Sequence, residues 1–351
     1  MGKQLQRKRS TVVVLCTLCW FWLVGCVPIQ PTGQPQNRAD AAVTPLRVCY
    51  SSNSATQSVM LYAYEQGIFQ EYGLAVELIY IEGGSTATAA LIAGAVDVCQ
   101  IAGASVINGV VAGADLALIA GLFNTYPYSL MVRPEITTGT DLKGQALAIS
   151  DPGGSSDVAI RAALLSLGLQ PDADVTILSI GGQSARLAAM ESGAVVGTVV
   201  SVPETATARA AGYQELVDMS ALNIPFQHTA LATTRPFLAE NKETTTRFLQ
   251  ATLTAIARMK QDQPGVTAVL AQYLSLDPDK DAMALAEAYT NLIGRYLPAL
   301  PYPTLEGIQM QLDALVAENP AAATVKAADV VDTTLLQALE ASGFVAQLEQ
   351  K

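Results

Sequence analysis

LRVCYSSNSATQSVMLYAYEQGIFQEYGLAVELIYIEGGS, residues 46–85, contains a strand, a helix and a second strand in immediate succession. Residues 47–51 are rich in β-formers, apolar residues recur at helical spacing from Val59 to Ile68, and residues 76–81 form the second strand. A helix that ends near Gly67 between two such strands makes a right-handed βαβ crossover, which requires a parallel sheet covered by helices. The polar loops 51–57 and 82–86 then lie at the carboxyl ends of the strands, where open α/β sheets bind ligands.

The same unit recurs about 99 residues later. VELIYIEGGSTATAALIAGAV (76–96) and VTILSIGGQSARLAAMESGAV (175–195) share a strand, a Gly-Gly turn, an Ala-rich helix and a Gly-Ala-Val end, with one gap. Two Ala-rich helices can match by composition alone. Self-similarity at a long period is nevertheless typical of duplicated architecture, so we infer two related lobes.

Strands and helices alternate along the chain and then give way to helices. Further strands are predicted at residues 96–103, 116–123, 128–133, 146–150, 175–180, 195–202, 214–219 and 229–234, and only helices follow Pro236. This order indicates an α/β fold of two lobes, with two doubly wound sheets joined by two hinge strands near residues 128–133 and 229–234. Residues 46–133 and 233–345 make the first lobe and residues 134–232 the second, with a cleft between them.

The length of 351 residues fits two domains, and half of the residues are apolar while 15% are charged, which is typical of a globular protein. The net charge is −11, and residues 1–25 contain four basic residues and no acidic one, so the rest carries −15. This balance argues against nucleic-acid binding, which relies on Lys and Arg to neutralise phosphates.

The N-terminus predicts export. Four basic residues precede an apolar run at 11–24, and Leu-Val-Gly-Cys at 23–26 resembles a bacterial lipobox, which implies a signal peptide at 1–25 and lipidation of Cys26. The alternative is an uncleaved membrane anchor, although the run is a little short for one. Residues 26–45, rich in Pro, Gln and small residues, predict a flexible tether that spans about 25 Å.

Two of the five cysteines, Cys49 and Cys99, fall within the folded part, in the first and third predicted strands. A disulfide between them is permitted in an exported protein. We favour the alternative, in which both are small buried hydrophobic residues.

The whole chain resembles the periplasmic substrate-binding proteins of ABC importers, in particular the NMT1/THI5-like (nitrate, sulfonate and taurine, SsuA-like) group. The resemblance covers nearly all of residues 46–345 and depends on the order and spacing of several segments. These are the lipobox, LRVCYSSN (46–53), EQGIF (65–69), ALIAGAVDV (90–98), YPYSLMVRP (126–134), DLKG (141–144) and AISDPGGS (148–155). One departure is Val196-Gly197, where this group often has an acidic residue.

The resemblance implies a type II periplasmic-binding-protein fold and a receptor that closes on a small molecule and delivers it to a membrane permease. It also implies a monomer that is held at the outer face of the bacterial cell membrane by its lipid anchor alone. A sensor that feeds a signalling partner is a further possibility that the residues do not exclude.

Three Gly-rich turns open predicted helices and supply candidate ligand-binding residues. Free backbone N–H groups and the helix dipole suit an anion or a polar carbonyl there, although each turn also suits an ordinary N-cap. Neither GxGxxG nor GxxxxGK[ST] occurs, so the turns are not nucleotide fingerprints. The candidates are Gly84, Ser85, Thr86, Gly154, Ser155, Ser156 and Gln183.

Other candidates follow strands or lie at the lobe boundary. Each has a structural alternative: an Asx or Ser turn for the loop after the first strand, hinge packing for the tyrosines, and a first-turn helix acid for the glutamate. The resemblance places ligand contacts in the loop after the first strand. These candidates are Ser51, Ser52, Asn53, Ala104, Ser105, Tyr126, Tyr128 and Glu204.

The sequence contains no recognisable hydrolase or zinc machinery, and we expect no enzymatic activity, cofactor or metal. Its one histidine, His228, lies beside the predicted return strand, and we expect it to have a hinge or surface role. An enzyme like the THI5-type pyrimidine synthases is disfavoured because the Cys-rich iron motif of those proteins is absent. The expected cleft loops are poor in Arg and Lys and contain Glu82, Asp151 and Glu204, which favours a neutral or amine-bearing planar solute such as an aminopyrimidine over a sulfonate or nitrate.

Overall fold

The computed structural model describes residues 43–222 and 224–348. Over these residues, ten strands alternate with helices in the first two thirds of the chain. The strands are β1 (Thr44–Tyr50), β2 (Leu74–Tyr80), β3 (Val98–Ala102), β4 (Leu116–Phe123), β5 (Ser129–Val132), β6 (Ala146–Ile149), β7 (Thr176–Ser179), β8 (Gly197–Val200), β9 (Gln214–Asp218) and β10 (Thr229–Thr234).

Fifteen α-helices are defined within the same described ranges. They are α1 (Ser58–Glu65), α2 (Ile68–Glu71), α3 (Gly84–Ile92), α4 (Gly103–Val111), α5 (Ser155–Ser166), α6 (Gln183–Glu191), α7 (Glu204–Ala210), α8 (Arg235–Glu240), α9 (Lys242–Met259), α10 (Gln263–Leu274), α11 (Ala282–Ala288), α12 (Leu305–Leu315), α13 (Ala327–Val330), α14 (Thr334–Ala341) and α15 (Phe344–Leu348). A π-helix (Tyr289–Tyr296) continues α11, and single 3₁₀ turns occupy Ala55–Gln57, Gly139–Leu142, Met219–Leu222 and Pro320–Thr324.

The described strands form two five-stranded mixed sheets, with the orders β2-β1-β3-β10-β4 and β7-β6-β8-β5-β9. In each sheet, three parallel strands are followed by one antiparallel strand. In the first sheet this strand is β10, which returns after the whole second sheet has been formed, whereas in the second sheet it is β5, which directly precedes β6 in the chain. The two orders correspond position by position. The internal repeat therefore matches β2 and α3 to β7 and α6, as expected for duplicated lobes.

Helices cover both faces of each sheet because successive strand residues point to opposite sides. In β1, Val48 packs into a core with helices α1, α9 and α10, whereas Cys49 packs into a second core with α3, α4 and α12. In the second sheet, Leu147 of β6 packs against α5, and Ala148 packs with Met190 of α6. The prediction of two doubly wound sheets is confirmed.

Cys49 and Cys99 are bonded to each other, so the interpretation favoured above, two free buried cysteines, is wrong. Cys49 and Cys99 are direct partners in the parallel pairing of β1 and β3, and they form a disulfide with their Cα atoms 4.4 Å apart. This separation suits a disulfide because bridged Cα atoms are usually about 4.4–6.8 Å apart. The strand register, which the spacing in sequence does not give, brings the two sulfurs together.

The chain crosses between the sheets at residues 124–128 and 219–228. β5 belongs to the second sheet and β10 to the first, so each crossing comes before the strand that the sequence pattern took as the hinge. The two crossing segments pack on each other, since the ring of Tyr126 stacks on that of Phe226 with centroids 3.8 Å apart.

The predicted signal peptide, Cys26 and almost all of the predicted tether fall outside the described residues. Regular structure begins at Thr44, just before the predicted start at Leu46. Across residues 43–222 and 224–348, no helix combines the length and the apolar character needed to cross a bilayer.

Candidate solute-binding cleft

A cavity of about 60 Å³ lies between the two sheets, at the carboxyl ends of β1, β2, β3, β6 and β7. One water molecule needs about 10–15 Å³ of such space, so the cavity suits a small polar group. Its wall is formed by Ser51, Ser52, Asn53, Ser54, Gln57, Tyr80, Glu82, Gly83, Gly84, Ala102, Tyr128, Ser150, Asp151, Ser155, Ser156, Gly182, Gln183, Arg186, His228 and Thr229.

Arg186 is the basic side chain on this wall, and it is only 2% exposed. Its Nε donates to Thr198 Oγ1 at 2.8 Å, Nη1 to the Gly181 carbonyl at 2.7 Å, and Nη2 to the Val199 carbonyl at 2.9 Å. Burial lowers the pKa of the guanidinium, but an arginine stays protonated in proteins. Three of its five N–H groups are thus used, and no carboxylate in the described part of the chain forms an ion pair with it.

Two amides on the wall add unsatisfied polar atoms. Gln183 Oε1 accepts from the backbone N–H of Ser201 at 2.6 Å, while its buried Nε2 has no partner among the described residues. Gln57 Oε1 is likewise buried without a partner there. Because buried polar atoms are nearly always hydrogen-bonded in folded proteins, these atoms point to a polar guest. Gln183 and Arg186 are three residues apart on α6, which puts both donors on one face.

Aromatic rings complete the wall. Tyr128 and His228 are in edge contact, with Tyr128 Oη 2.9 Å from His228 Nε2, and Thr229 Oγ1 lies 2.6 Å from Nδ1. Burial lowers the pKa of His228 to about 3, so the ring is neutral at physiological pH. His228 lies in the second crossing segment, just before β10, and it is buried, so a surface role is excluded while the hinge role stays a prediction.

Glu204, the first residue of α7, is buried beside the cavity but is not part of its wall. Burial raises the pKa of its carboxyl to about 7, and the charge of Arg186 opposes this rise. Its Oε2 has no hydrogen-bond partner among the described residues.

Eight of the residues predicted from the sequence line the cavity. They are Ser51, Ser52, Asn53, Gly84, Tyr128, Ser155, Ser156 and Gln183. The wall combines loops from both lobes, as expected for strands whose carboxyl ends face one another.

Seven predicted residues lie outside the cavity wall. Ser85 donates to Asp151, Thr86 is exposed, and Gly154 precedes α5 with Asp151 against it. Ala104 and Ser105 are buried, with Ser105 against Gly84, and Tyr126 stacks on Phe226 between the two crossing segments. Glu204 is the seventh.

The sequence interpretation missed Ser54, Gln57, Tyr80 and Arg186. Arg186 changes the inference drawn from cleft loops poor in Arg and Lys, because this cation comes from the interior of α6 and not from a loop. The signal that could have found it is the spacing of Gln183 and Arg186 on one helical face of the second repeat. The corresponding helix of the first repeat has no basic residue.

Solved structures share this fold at low sequence identity. The alkanesulfonate-binding protein SsuA from Xanthomonas axonopodis pv. citri, bound to MOPS, superimposes with a TM-score of 0.65 at 19% identity, over 84% of this chain and 97% of that one. The periplasmic aliphatic sulphonate-binding protein SsuA from Escherichia coli gives 0.65 at 22% identity, over 84% and 99%. The periplasmic nitrate-binding protein NrtA from Synechocystis gives 0.68 at 14% identity, over 87% and 91%. The chain therefore has the fold of the periplasmic binding proteins.

The family follows from the sequence match. Residues 55–264, more than half of the chain, match the family model described as NMT1/THI5 like. This protein belongs to the NMT1/THI5-like family. No curated protein sequence matches it significantly.

Proposed function

We propose that this protein is an exported solute-binding receptor that captures a small anion between its two lobes and presents it to the permease of an ABC importer. The observation that carries the proposal is Arg186, a buried cation on the cavity wall without a carboxylate partner in the described chain. Its two remaining N–H groups and the free Nε2 of Gln183 are donors that suit an oxyanion.

The family and the fold support the receptor class. The solved structures of similar fold include proteins described as binding alkanesulfonates, aliphatic sulphonates and nitrate. By analogy, an oxyanion with a small substituent is the proposed solute class. The lipid anchor at Cys26, the monomeric state and the partner permease are part of the same proposal and rest on the lipobox and the family.

A neutral aminopyrimidine is the second candidate. It is favoured by Tyr80, Tyr128 and His228 on the wall, which offer rings to a planar solute, and by the nearby acids Glu82 and Asp151. Part of the argument for it, cleft loops poor in Arg and Lys, is weakened because Arg186 lies on the cavity wall. We therefore place it behind the anion.

We propose a binding and not a catalytic role. His228 is neutral and held in the hinge, and both cysteines of the described residues form the disulfide, so neither is a free nucleophile there. Among residues 43–222 and 224–348, no group of three or more His, Cys, Asp or Glu residues could hold a metal ion.

A thermal-shift screen tests the proposal with alkanesulfonates, nitrate, sulfate and aminopyrimidines. A ligand at 100 times its dissociation constant adds about 2.7 kcal/mol of stability, which raises the Tm by several degrees. We expect a shift with one or more of the anions and recovery of the intact solute. A shift with aminopyrimidines alone would contradict the anion assignment, and chemical turnover of a hit would contradict the binding role.

A further inference from the structure

Two acidic side chains reach across the cleft to helix N-termini of the opposite lobe. Glu82 follows β2 in the first lobe, and its Oε1 accepts from the backbone N–H of Gly182, at the start of α6 in the second lobe, at 2.7 Å. Asp151 follows β6 in the second lobe, and its Oδ2 accepts from the backbone N–H and the hydroxyl of Ser85, in the first turn of α3, at 3.1 and 2.9 Å.

These helices, α3 and α6, are the two helices of the internal repeat. Their N-termini carry partial positive charge and free N–H groups, so a carboxylate is stabilising there. One backbone N–H group at each helix start is thus satisfied by an acid of the other lobe. This explains why Ser85, predicted to bind the ligand, is engaged elsewhere.

The glycines of these turns leave room for the approach. A Cβ atom on Gly181 or Gly182 would lie 3.1 or 3.2 Å from Glu82 Oε1, which is closer than most real contacts. Gly181 also has a φ of +105°, a conformation that side chains rarely adopt. The Gly-Gly pair therefore permits the carboxylate to reach the helix start.

Further contacts join the same edges of the lobes. Asn108 Nδ2 of α4 donates to the Gly153 carbonyl at 3.1 Å, and Ser85 Oγ also lies 3.1 Å from the Pro152 carbonyl. All of these bonds join atoms of different lobes, so they exist only while the cleft is closed. Any free energy that they contribute favours the closed state alone.

We propose that Glu82 and Asp151 form a latch that sets solute affinity by holding the lobes together. They are positioning residues in this role, which rests on the solute-binding function proposed above. A solute that binds the closed cleft is held more tightly when the closed state is more populated, and it leaves more slowly.

Hydrogen exchange on the full-length protein without solute tests the latch directly. The variants are Glu82→Ala, which removes one carboxylate, and Ser85→Ala, which removes the hydroxyl that Asp151 accepts from. Glu77→Ala is the matched control, since Glu77 is an exposed acid on β2 with no hydrogen bond across the cleft. Small-angle scattering measures the radius of gyration in parallel.

We expect Glu82→Ala to speed exchange at least severalfold in both segments 181–184 and 84–87, although the substitution touches only the first of these contacts. Both segments respond because opening separates the lobes as a unit. The radius of gyration rises, Ser85→Ala has the same effects in smaller measure, and Glu77→Ala behaves like the wild type. Faster exchange confined to segment 181–184, or an unchanged radius, would overturn the latch.

Binding of MOPS as a probe gives the second readout. We expect Glu82→Ala to weaken binding about fivefold to twentyfold, mostly through faster dissociation, because one partly exposed charge-assisted hydrogen bond is lost. Unchanged MOPS affinity in Glu82→Ala would overturn the latch. A wild-type protein that shows the expected exchange pattern without solute, but binds neither MOPS nor any anion of the screen, would support the latch and contradict the proposed solute class, so the two failures are distinguishable.

Discussion

Replacing Arg186 with methionine removes the buried cation of the cleft while keeping much of the side chain's length. The guanidinium has two N–H groups that the protein does not use. A hydrogen bond to a charged group contributes about 1.5–3 kcal/mol, so two of them to a bound anion amount to about 3–6 kcal/mol. Since 1.4 kcal/mol is tenfold in affinity, we expect Arg186→Met to weaken anion binding roughly a hundredfold to ten-thousandfold.

The substitution also affects the fold, so stability must be measured beside binding. Thr198 Oγ1 keeps its bond to the Ala148 carbonyl at 2.8 Å, and Val199 stays paired with Leu130 in the sheet. The cost in stability is therefore of the order of a core hydrogen bond, about 1–3 kcal/mol. Urea denaturation monitored by circular dichroism verifies that the variant is folded under the binding conditions.

Isothermal titration calorimetry with the most tightly bound anion from the screen measures the affinity of each variant. Arg133→Met is the matched control, because Arg133 is a cation of the second lobe that pairs with Glu135 away from the cavity. Arg186→Lys, which keeps the charge but loses the planar fork, should lie between the wild type and Arg186→Met. Wild-type affinity in a folded Arg186→Met would refute the assignment of this residue as the anion site.

Three further predictions concern stability. Replacing Cys49 and Cys99 by serine opens a loop of 50 residues, and we expect the free energy of unfolding to fall by up to about 4 kcal/mol; a urea midpoint equal to that of the wild type would contradict this. Burial holds the pKa of Glu204 near 7 in the fold against 4.5 normally, so the folded state binds the proton more tightly. Stability without solute should thus fall by about 3 kcal/mol as pH rises from about 4.5 to 7, and Glu204→Gln should flatten this part of the Tm profile. A Cβ atom on Gly103 would collide with the Gln227 carbonyl, so Gly103→Ala should lower the free energy of unfolding, measured in urea, by about 1–3 kcal/mol. An unchanged urea midpoint would contradict this and show that the crossing segment can move to accommodate the methyl group.

The alternation of strands and helices could be read from the sequence because it depends on local periodicity. Residues 46–85 predicted a strand, a helix and a strand, and the structure has β1, α1 with α2, and β2 there. The repeat predicted two related lobes, and the matching strand orders agree with it. Loop positions followed as well, since parallel strands place their carboxyl ends at one edge.

Contacts that join distant parts of the chain could not be predicted in this way. The pairing of Cys49 with Cys99 depends on the register of β1 against β3, and one residue of slip would have turned one of them to the opposite face of the sheet. The lobe crossings lie earlier than predicted because β5 already belongs to the second sheet, and because β10, which follows that sheet in the chain, inserts as an antiparallel strand into the first.

The charge of the cleft also depends on contacts that only the tertiary structure forms. Glu82 and Asp151 look like ligand partners in sequence, yet each is used by a helix of the opposite lobe. Arg186 looks like a surface residue of an Ala-rich helix, yet α6 packs against β8 and turns it into the cavity. The sequence by itself determined the elements and their order, through local periodicity and turn chemistry. Only the tertiary structure determined which charged side chains remain for a solute. The packing of α6 on β8 places Arg186, and the closure of the two lobes engages Glu82 and Asp151 with partners 100 and 66 positions away in the chain.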